Sequence, residues 1–379
     1  MKILLAPDSF KGSLKSPAVA RAMAEGARQA LPEAELVELP VGDGGEGTLE
    51  ALVTATGGEY QVKTVIGPVG EPVEARLGLL GDGETVFVEM AEASGLSRVA
   101  EEERDPLLAT TYGTGQLLRA AFATERPRIV VGLGGSATTD GGAGMLQALG
   151  LRLLDSLGQH LPQGGAALLD LHRIERGSFE LPSGREIVLA CDVTNPLTGP
   201  QGAAAVYGPQ KGASPQDIRL LDDALGNLAN VAAEAAGKDW RTAPGAGAAG
   251  GLGFAFLAFL SARMERGVEL VLDCVGFDRH LQGAELVVTG EGKIDRQTTA
   301  FGKTLTGIGA RASRAGVPVL ALGGSLGSDI GDYRAAGISG IASIVPGPMS
   351  LERAMSGAGP LVSDAARRLI EVFQAGRNR

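Results

Sequence analysis

Several Gly-rich acidic loops of this chain, each following a short apolar run, carry the residue types that move a phosphoryl group. Asp8, Lys11 and Gly12 stand in PDSFKGS; Gly134, Gly135, Ser136, Thr138 and Asp140 stand in GGSATTDGG. Asp192 and Asn195 stand in CDVTN, and Glu291, Lys293 and Asp295 in GEGKID. Phosphoryl transfer asks a protein for positioning and charge neutralisation: glycine amides around phosphates, a lysine, carboxylates for magnesium, and a carboxylate near the accepting hydroxyl. Singly, each residue has an ordinary alternative. Asp8 and Asp192 are the type that caps helices and forms turns, and Lys11 and Lys293 are the type that sits solvated on a surface. Their joint occurrence at strand ends favours chemistry.

A further loop, GDGGEG from Gly42 to Gly47, formally matches GxGxxG after an apolar run and before a helix. A dinucleotide site there would set Asp43 and Glu46 against a pyrophosphate, which is costly unless a cation lies between. A metal or substrate-hydroxyl role for Asp43, and a purely structural tight turn, are the other readings. GAGAAG from Gly245 follows Pro244 and no strand, so it is the weaker match. The nearest approach to GxxxxGK[ST] is Gly302, Lys303 and Thr304, but Gln297 stands where the first glycine is required. The HRD-centred kinase set is missing too. His160, His172 and His280 share no HxxxH spacing and accompany no GxSxG elbow, which argues against zincin and α/β-hydrolase chemistry.

The elements that must position these loops alternate in type. Strand-like runs begin at Lys2, Glu35, Arg128, Glu186, Glu285 and Val317, with helical patterns between them, as in βαβ units of a mostly parallel sheet. Ser16 before Pro17, and Ser214 before Pro215, predict helix starts with a serine cap and proline in the first turn. From Glu59 to Glu92 apolar and polar residues alternate around GPVGEP and GDGE turn signals, which predicts antiparallel hairpins. A β-rich stretch inside a βαβ chain predicts a Rossmann-like parallel α/β domain from residues 1–58 and 284–379, with a second, β-richer α/β domain (59–283) inserted. LGGSATTDGG and LGGSLGSDIG share LGGSxxxDxG, two copies being too few for a repeat architecture.

Composition sets the bounds. A length of 379 residues predicts two or three domains, and 44% hydrophobic with 21% charged residues is the balance of a folded globular chain. The 58 glycines, about twice the usual share, mean many turns that a β-carbon would forbid or backbone that approaches a ligand closely. A net charge of -10 with 4% aromatics lacks the basic footprint and stacking platforms of nucleic-acid binding. Cys191 and Cys274 stand far apart without CxxC spacing, which argues against a disulfide framework and points to a reducing cytoplasm. The apolar run in MKILLAPDSF is too short for a signal peptide, and LGFAFLAFL from Leu252 reads as a buried core helix, so no membrane partner is expected. A homodimer rests only on being the commonest closed assembly.

Longer stretches carry a resemblance. APDSFKGSL, PVGDGGEGTLEAL, GLGGSATTDGGAGMLQALG, CDVTNPLTGPQGAAAVYGPQKGA and VTGEGKIDRQTTAFGKT occur in this order along nearly the whole chain. In that order they resemble the bacterial glycerate kinase family. The resemblance implies two α/β domains, the second inserted in the first, with the active site in the cleft between them. It implies ATP and Mg²⁺ as cofactors and D-glycerate as substrate, phosphorylated to 2-phosphoglycerate or 3-phosphoglycerate. It further implies that Asp192 takes the hydroxyl proton or orients the substrate, while Lys11 or Lys293 meets phosphate or the glycerate carboxylate. Asp43 and Asp295 become magnesium candidates, since Mg²⁺ takes only one or two carboxylates. Gly134, Gly135, Ser136 and Thr138 would hold phosphates, with Gly290 and Gly292 on the same nucleotide; Asp8, Ser9, Gly44, Gly45 and Asn195 would face glycerate. Two rivals stand beside it. An NAD(P)-dependent hydroxy-acid oxidoreductase rests on GDGGEG alone, and a sugar-acid sensor would bind glycerate without turnover but has no recognisable DNA-binding domain to report through.

Overall fold

The apolar runs become the strands of two sheets in the computed structural model, which describes residues 1–296, 298 and 304–377. Gln297, Gly302 and Lys303 of the GxxxxGK[ST] near-miss lie outside the described residues. The chain divides into two units: Met1–Asp43, Glu50–Gly58 and Val268–Arg379 form one, and Gly44–Leu49 with Glu59–Gly267 form the other.

The discontinuous unit is built on five strands in the order Gly340–Ser343, Val319–Leu326, Leu286–Ile294, Lys2–Leu5, Glu35–Glu38, every neighbouring pair parallel. Numbered along the chain this is 2-1-3-4-5, a doubly wound order that reverses between the first and third strands. Ile3, Leu4, Leu5, Val287 and Val288 are fully buried, which is why these strands read as unbroken apolar runs rather than alternating ones. Helix Ser16–Ala30 buries Val19, Met23 and Ala27 in the same core as Val362 and Ala366 of helix Ala358–Arg377. The two helices cross so closely that a Cβ on Gly26 would collide with the Ser363 carbonyl.

Two expectations shift here. Ser16 is not the cap: Lys15 occupies that position, no side chain caps the helix, and Ser16 is buried as its first residue. Proline follows immediately and has no N–H, so a serine there has one donor fewer to satisfy. The chain also returns to this unit at Val268 rather than at residue 284. The reason is packing: Val268 and Leu272 lie against Gly307 of helix Thr304–Arg314, whose Arg311 pairs with Glu269, Asp273 and Asp278.

The inserted unit holds a six-stranded sheet ordered Arg263–Glu265, Glu186–Ala190, Arg128–Gly132, Thr85–Glu89, Pro72–Leu79, Glu59–Ile66. The first four strands are mutually parallel, and the last two join as antiparallel hairpins. The stretch from Leu252 is a buried helical segment within Ala248–Phe259, with Leu252, Phe254 and Phe256 in the core. Ser214 caps Pro215–Ala236 in a reciprocal box with Asp217. The two LGGSxxxDxG copies part ways: Asp140 is fully buried in a loop, whereas Asp329 is exposed beyond a strand that runs through Leu326.

Candidate active site

In a doubly wound sheet the crevice opens beyond the carboxyl ends of the strands, at the point where strand order reverses. Here that point lies between Lys2–Leu5 and Leu286–Ile294, and a cavity of about 390 Å³ is found among the loops that leave this sheet. The first strand's loop contributes Asp8, Ser9 and Lys11 and the second's Asp43, whereas Glu291, Gly292 and Lys293 belong to the third strand itself, which continues through GEGKI to Ile294 instead of ending in a loop there, and Asp295 follows it. Gly292 lets the loops approach, because a Cβ there would sit 3.2 Å from the Lys11 nitrogen and 3.3 Å from Phe10 Cα. Gly290 lies behind, in the sheet: its carbonyl accepts from the Asp8 N–H at 2.9 Å, and Leu322 O would be 2.5 Å from any Cβ it carried.

Asp8 is the pivot of this cavity. Its Oδ1 accepts from the Ser9 N–H and its Oδ2 from the Thr304 hydroxyl, each at 2.6 Å. Burial, reinforced by the negative charge of Asp43, pushes its carboxyl up to about 6 against the pull of those hydrogen bonds and Lys11. Lys293 reaches Asp295 at 3.0 Å with 65% of its side chain exposed, so this cation stays accessible to an anionic ligand.

In the inserted unit, the loop after Arg128–Gly132 is organised by Asp140. Its carboxylate accepts from the N–H and hydroxyl of Thr111, both at 2.8 Å, and from the N–H groups of Gly142 and Gly144 at 3.1 Å. Burial still holds this carboxyl above its usual range. Ser136 and Thr138 are buried with it, and Gly135 is exposed. Lys211, 1% exposed, donates to Ser136 Oγ at 2.8 Å and to Thr138 O at 2.5 Å. Gly44, Gly45 and Gly134 have packing reasons to be glycine: a Cβ on Gly134 would lie 2.5 Å from Gly45 Cα, and one on Gly44 2.8 Å from Ala190 Cβ. Asp192 is exposed and accepts the Gly267 N–H at 2.9 Å; Asn195 accepts from Tyr207 OH at 2.7 Å and donates to Gln201 O.

The GDGGEG loop does not offer its amides to a pyrophosphate. The buried Glu89 carboxylate already accepts the Gly47 N–H at 2.9 Å and the Leu49 N–H at 2.8 Å, filling the start of helix Thr48–Thr56. A dinucleotide would have to displace an internal carboxylate from those donors.

The family model described as the glycerate kinase family matches residues 3–374. The chain belongs to the glycerate kinase family. It is 46% identical over 368 residues to a glycerate kinase of Bacillus subtilis (strain 168), covering 97% of this chain and 96% of that one. It is 43% identical over 378 residues to a glycerate 2-kinase of Escherichia coli (strain K12), covering 99% of both. A crystal structure assigned to a glycerate kinase 2 of Salmonella typhimurium LT2 superposes with a TM-score of 0.90 at 44% identity over 100% of both chains. The protein is therefore a kinase, and the oxidoreductase reading falls with its only motif.

As a glycerate kinase chain, it collects Asp8, Ser9, Lys11, Asp43, Gly292, Lys293 and Asp295 around one cavity, while Gly290 is not among its walls. Gly44, Gly45, Gly134, Gly135, Ser136, Thr138, Asp192 and Asn195 belong to the inserted unit. Sequence reasoning missed Thr304, Glu89 and Lys211. Thr304 had been seen only as the end of a failed motif. Lys211 stands in the quoted GPQKGA stretch, but burial of a lysine is not visible in its neighbours along the chain.

Proposed function

We propose that this protein transfers the γ-phosphoryl group of ATP to the 2-hydroxyl of D-glycerate, with Mg²⁺ as the accompanying cation. The observation that carries the reading is the Asp8–Asp43 carboxylate pair, set with Lys11 and Lys293 in the switch-point cavity of a glycerate kinase chain. Asp8 takes the base role that the resemblance implied for Asp192. A base works best with a pKa near the operating pH, and Asp8, pushed up to about 6, is ionised yet basic at neutral pH. Its Oδ2 receives the hydroxyl proton as the oxygen attacks, and Thr304 and Ser9 hold the carboxylate in place. Asp192, spending one oxygen on the Gly267 N–H, orients the substrate. Lys11 and Lys293 meet the glycerate carboxylate and the transferred phosphoryl group.

The donor set fits magnesium. Asp43 already raises Asp8 by like-charge repulsion, which a cation relieves. Among the described residues no group of three or more His, Cys, Asp or Glu could hold a metal alone, consistent with an ion that takes one or two carboxylates and completes its shell with phosphate and water. Asp43 and Asp295 would hold it. When bound, Mg²⁺ neutralises charge on the phosphate oxygens. Gly134 to Thr138 would cradle phosphates.

The name of the relative from Escherichia coli, glycerate 2-kinase, favours the 2-hydroxyl. We further propose a cytoplasmic location, the compartment that supplies ATP. A homodimer is the assembly proposed. Incubation with ATP, Mg²⁺ and D-glycerate should release ADP only when glycerate is present, and phosphorus NMR should show the 2-phosphoglycerate resonance. The 3-phosphoglycerate resonance would move the attack to the other hydroxyl, and no ADP from folded protein would overturn the reading.

A further inference from the structure

Lys211 closes the short turn Pro209–Lys211 in the inserted unit and is 1% exposed. Neither of its hydrogen-bond partners, Ser136 Oγ at 2.8 Å and Thr138 O at 2.5 Å, carries a charge. The anion whose field it feels is Asp140, and that carboxylate is already taken up by four donors from Thr111, Gly142 and Gly144. Burying an ammonium on neutral acceptors is costly, which favours the neutral amine until an anion arrives. Beside it the hydroxyls of Thr138 and Thr139 are buried with no partner. Gly135, of the same loop, faces solvent. A buried lysine and two unused hydroxyls thus belong to the loop that carries the exposed Gly135, with the Glu46 carboxylate on its other side.

We infer that Lys211 is a positioning residue for the phosphates of the nucleotide: it holds the Gly134 to Thr139 loop in the form that takes them and turns its charge toward them. The inference rests on the ATP reading above and deepens it. Burial, only partly offset by the Asp140 charge, pushes the Lys211 amine down to about 7, so an arriving anion restores its proton. Binding of nucleotide then draws a proton from solution just above neutral pH.

The test is calorimetric titration of the full-length protein with ATP and Mg²⁺, without glycerate, at pH 7.5 in two buffers of different ionisation enthalpy. The wild type should take up about three-quarters of a proton per nucleotide. Lys211→Met should abolish that uptake and raise KM for ATP about tenfold, roughly 1.4 kcal/mol, with KM for glycerate within about twofold. Should Lys211→Met fail to fold, Ser136→Ala removes one acceptor and should shift the pH dependence of ATP binding. Wild-type binding without proton uptake overturns the inference, as does uptake that survives Lys211→Met, which would point to Glu89 instead. Folded wild type that binds no ATP overturns the nucleotide reading itself, and the role of Lys211 with it.

Discussion

Asp8 shows what one residue's surroundings do to its chemistry. Its charge is opposed by burial and by Asp43, and only two hydrogen bonds and Lys11 resist. We expect kcat/KM to fall with acid below an apparent pKa of about 6, and Asp8→Asn to lose at least about a hundredfold in turnover. The stability consequence runs the other way. A carboxyl whose pKa is higher folded than unfolded binds more protons in the native state, so its contribution declines as pH rises from about 4 to about 6. Asp8→Asn removes that penalty and should be more stable than wild type at pH 7, by at most about 2 kcal/mol after allowing for solvent access. The difference should vanish below pH 4, as urea titrations at both pH values will test. A variant equally inactive and less stable at pH 7 would remove Asp8 from the catalytic role and make it a structural turn residue.

Elements carry a different kind of information. The Ser214 cap follows from local spacing because its partner Asp217 is three residues away, but strands Leu286–Ile294 and Val319–Leu326 run past their apolar runs into Gly-rich sequence. What each loop does once formed is set by what it touches. The glycines at 44, 45 and 134 read as ligand contacts in sequence, yet their Cα positions abut other backbone. Gly134→Ala separates the uses: a Cβ 2.5 Å from Gly45 Cα should cost about 1–3 kcal/mol and lower the melting temperature by several degrees. An unchanged melting temperature with a raised KM for ATP would instead assign Gly134 to phosphate binding.

At the scale of the molecule, the discontinuous unit must hold together segments far apart in the chain. Within the last of these segments Arg311 ties helix Thr304–Arg314 to the return at Val268, 6% exposed and within 2.7 Å of both Glu269 and Asp273, with Asp278 at 3.3 Å. Breaking a buried ion pair by deleting one partner costs about 3–5 kcal/mol, but these carboxylates are partly exposed and can turn to water. Arg311→Met should therefore lower the unfolding free energy by about 1–2 kcal/mol, read as a shift in the urea midpoint without loss of the ATP site. A change above that range would mean the carboxylates stay trapped.

Read alone, the chain announced its βαβ alternation, its β-rich insertion, the acidic Gly-rich loops and the family they resemble. The first three follow from periodicity and from side chains near one another in sequence; the family rests on the likeness of whole motifs in order. The return at Val268 was not legible, because it depends on Gly307 and Arg311 meeting a helix from elsewhere in the chain. Nor was the difference between Asp8, raised to about 6 by burial and by Asp43, and Asp192, exposed and holding the Gly267 amide. Burial, like-charge pairing and the capture of backbone amides by Glu89 or of a lysine by Ser136 arise only when distant segments are brought together. They depend on distance in space, which the order of residues does not contain.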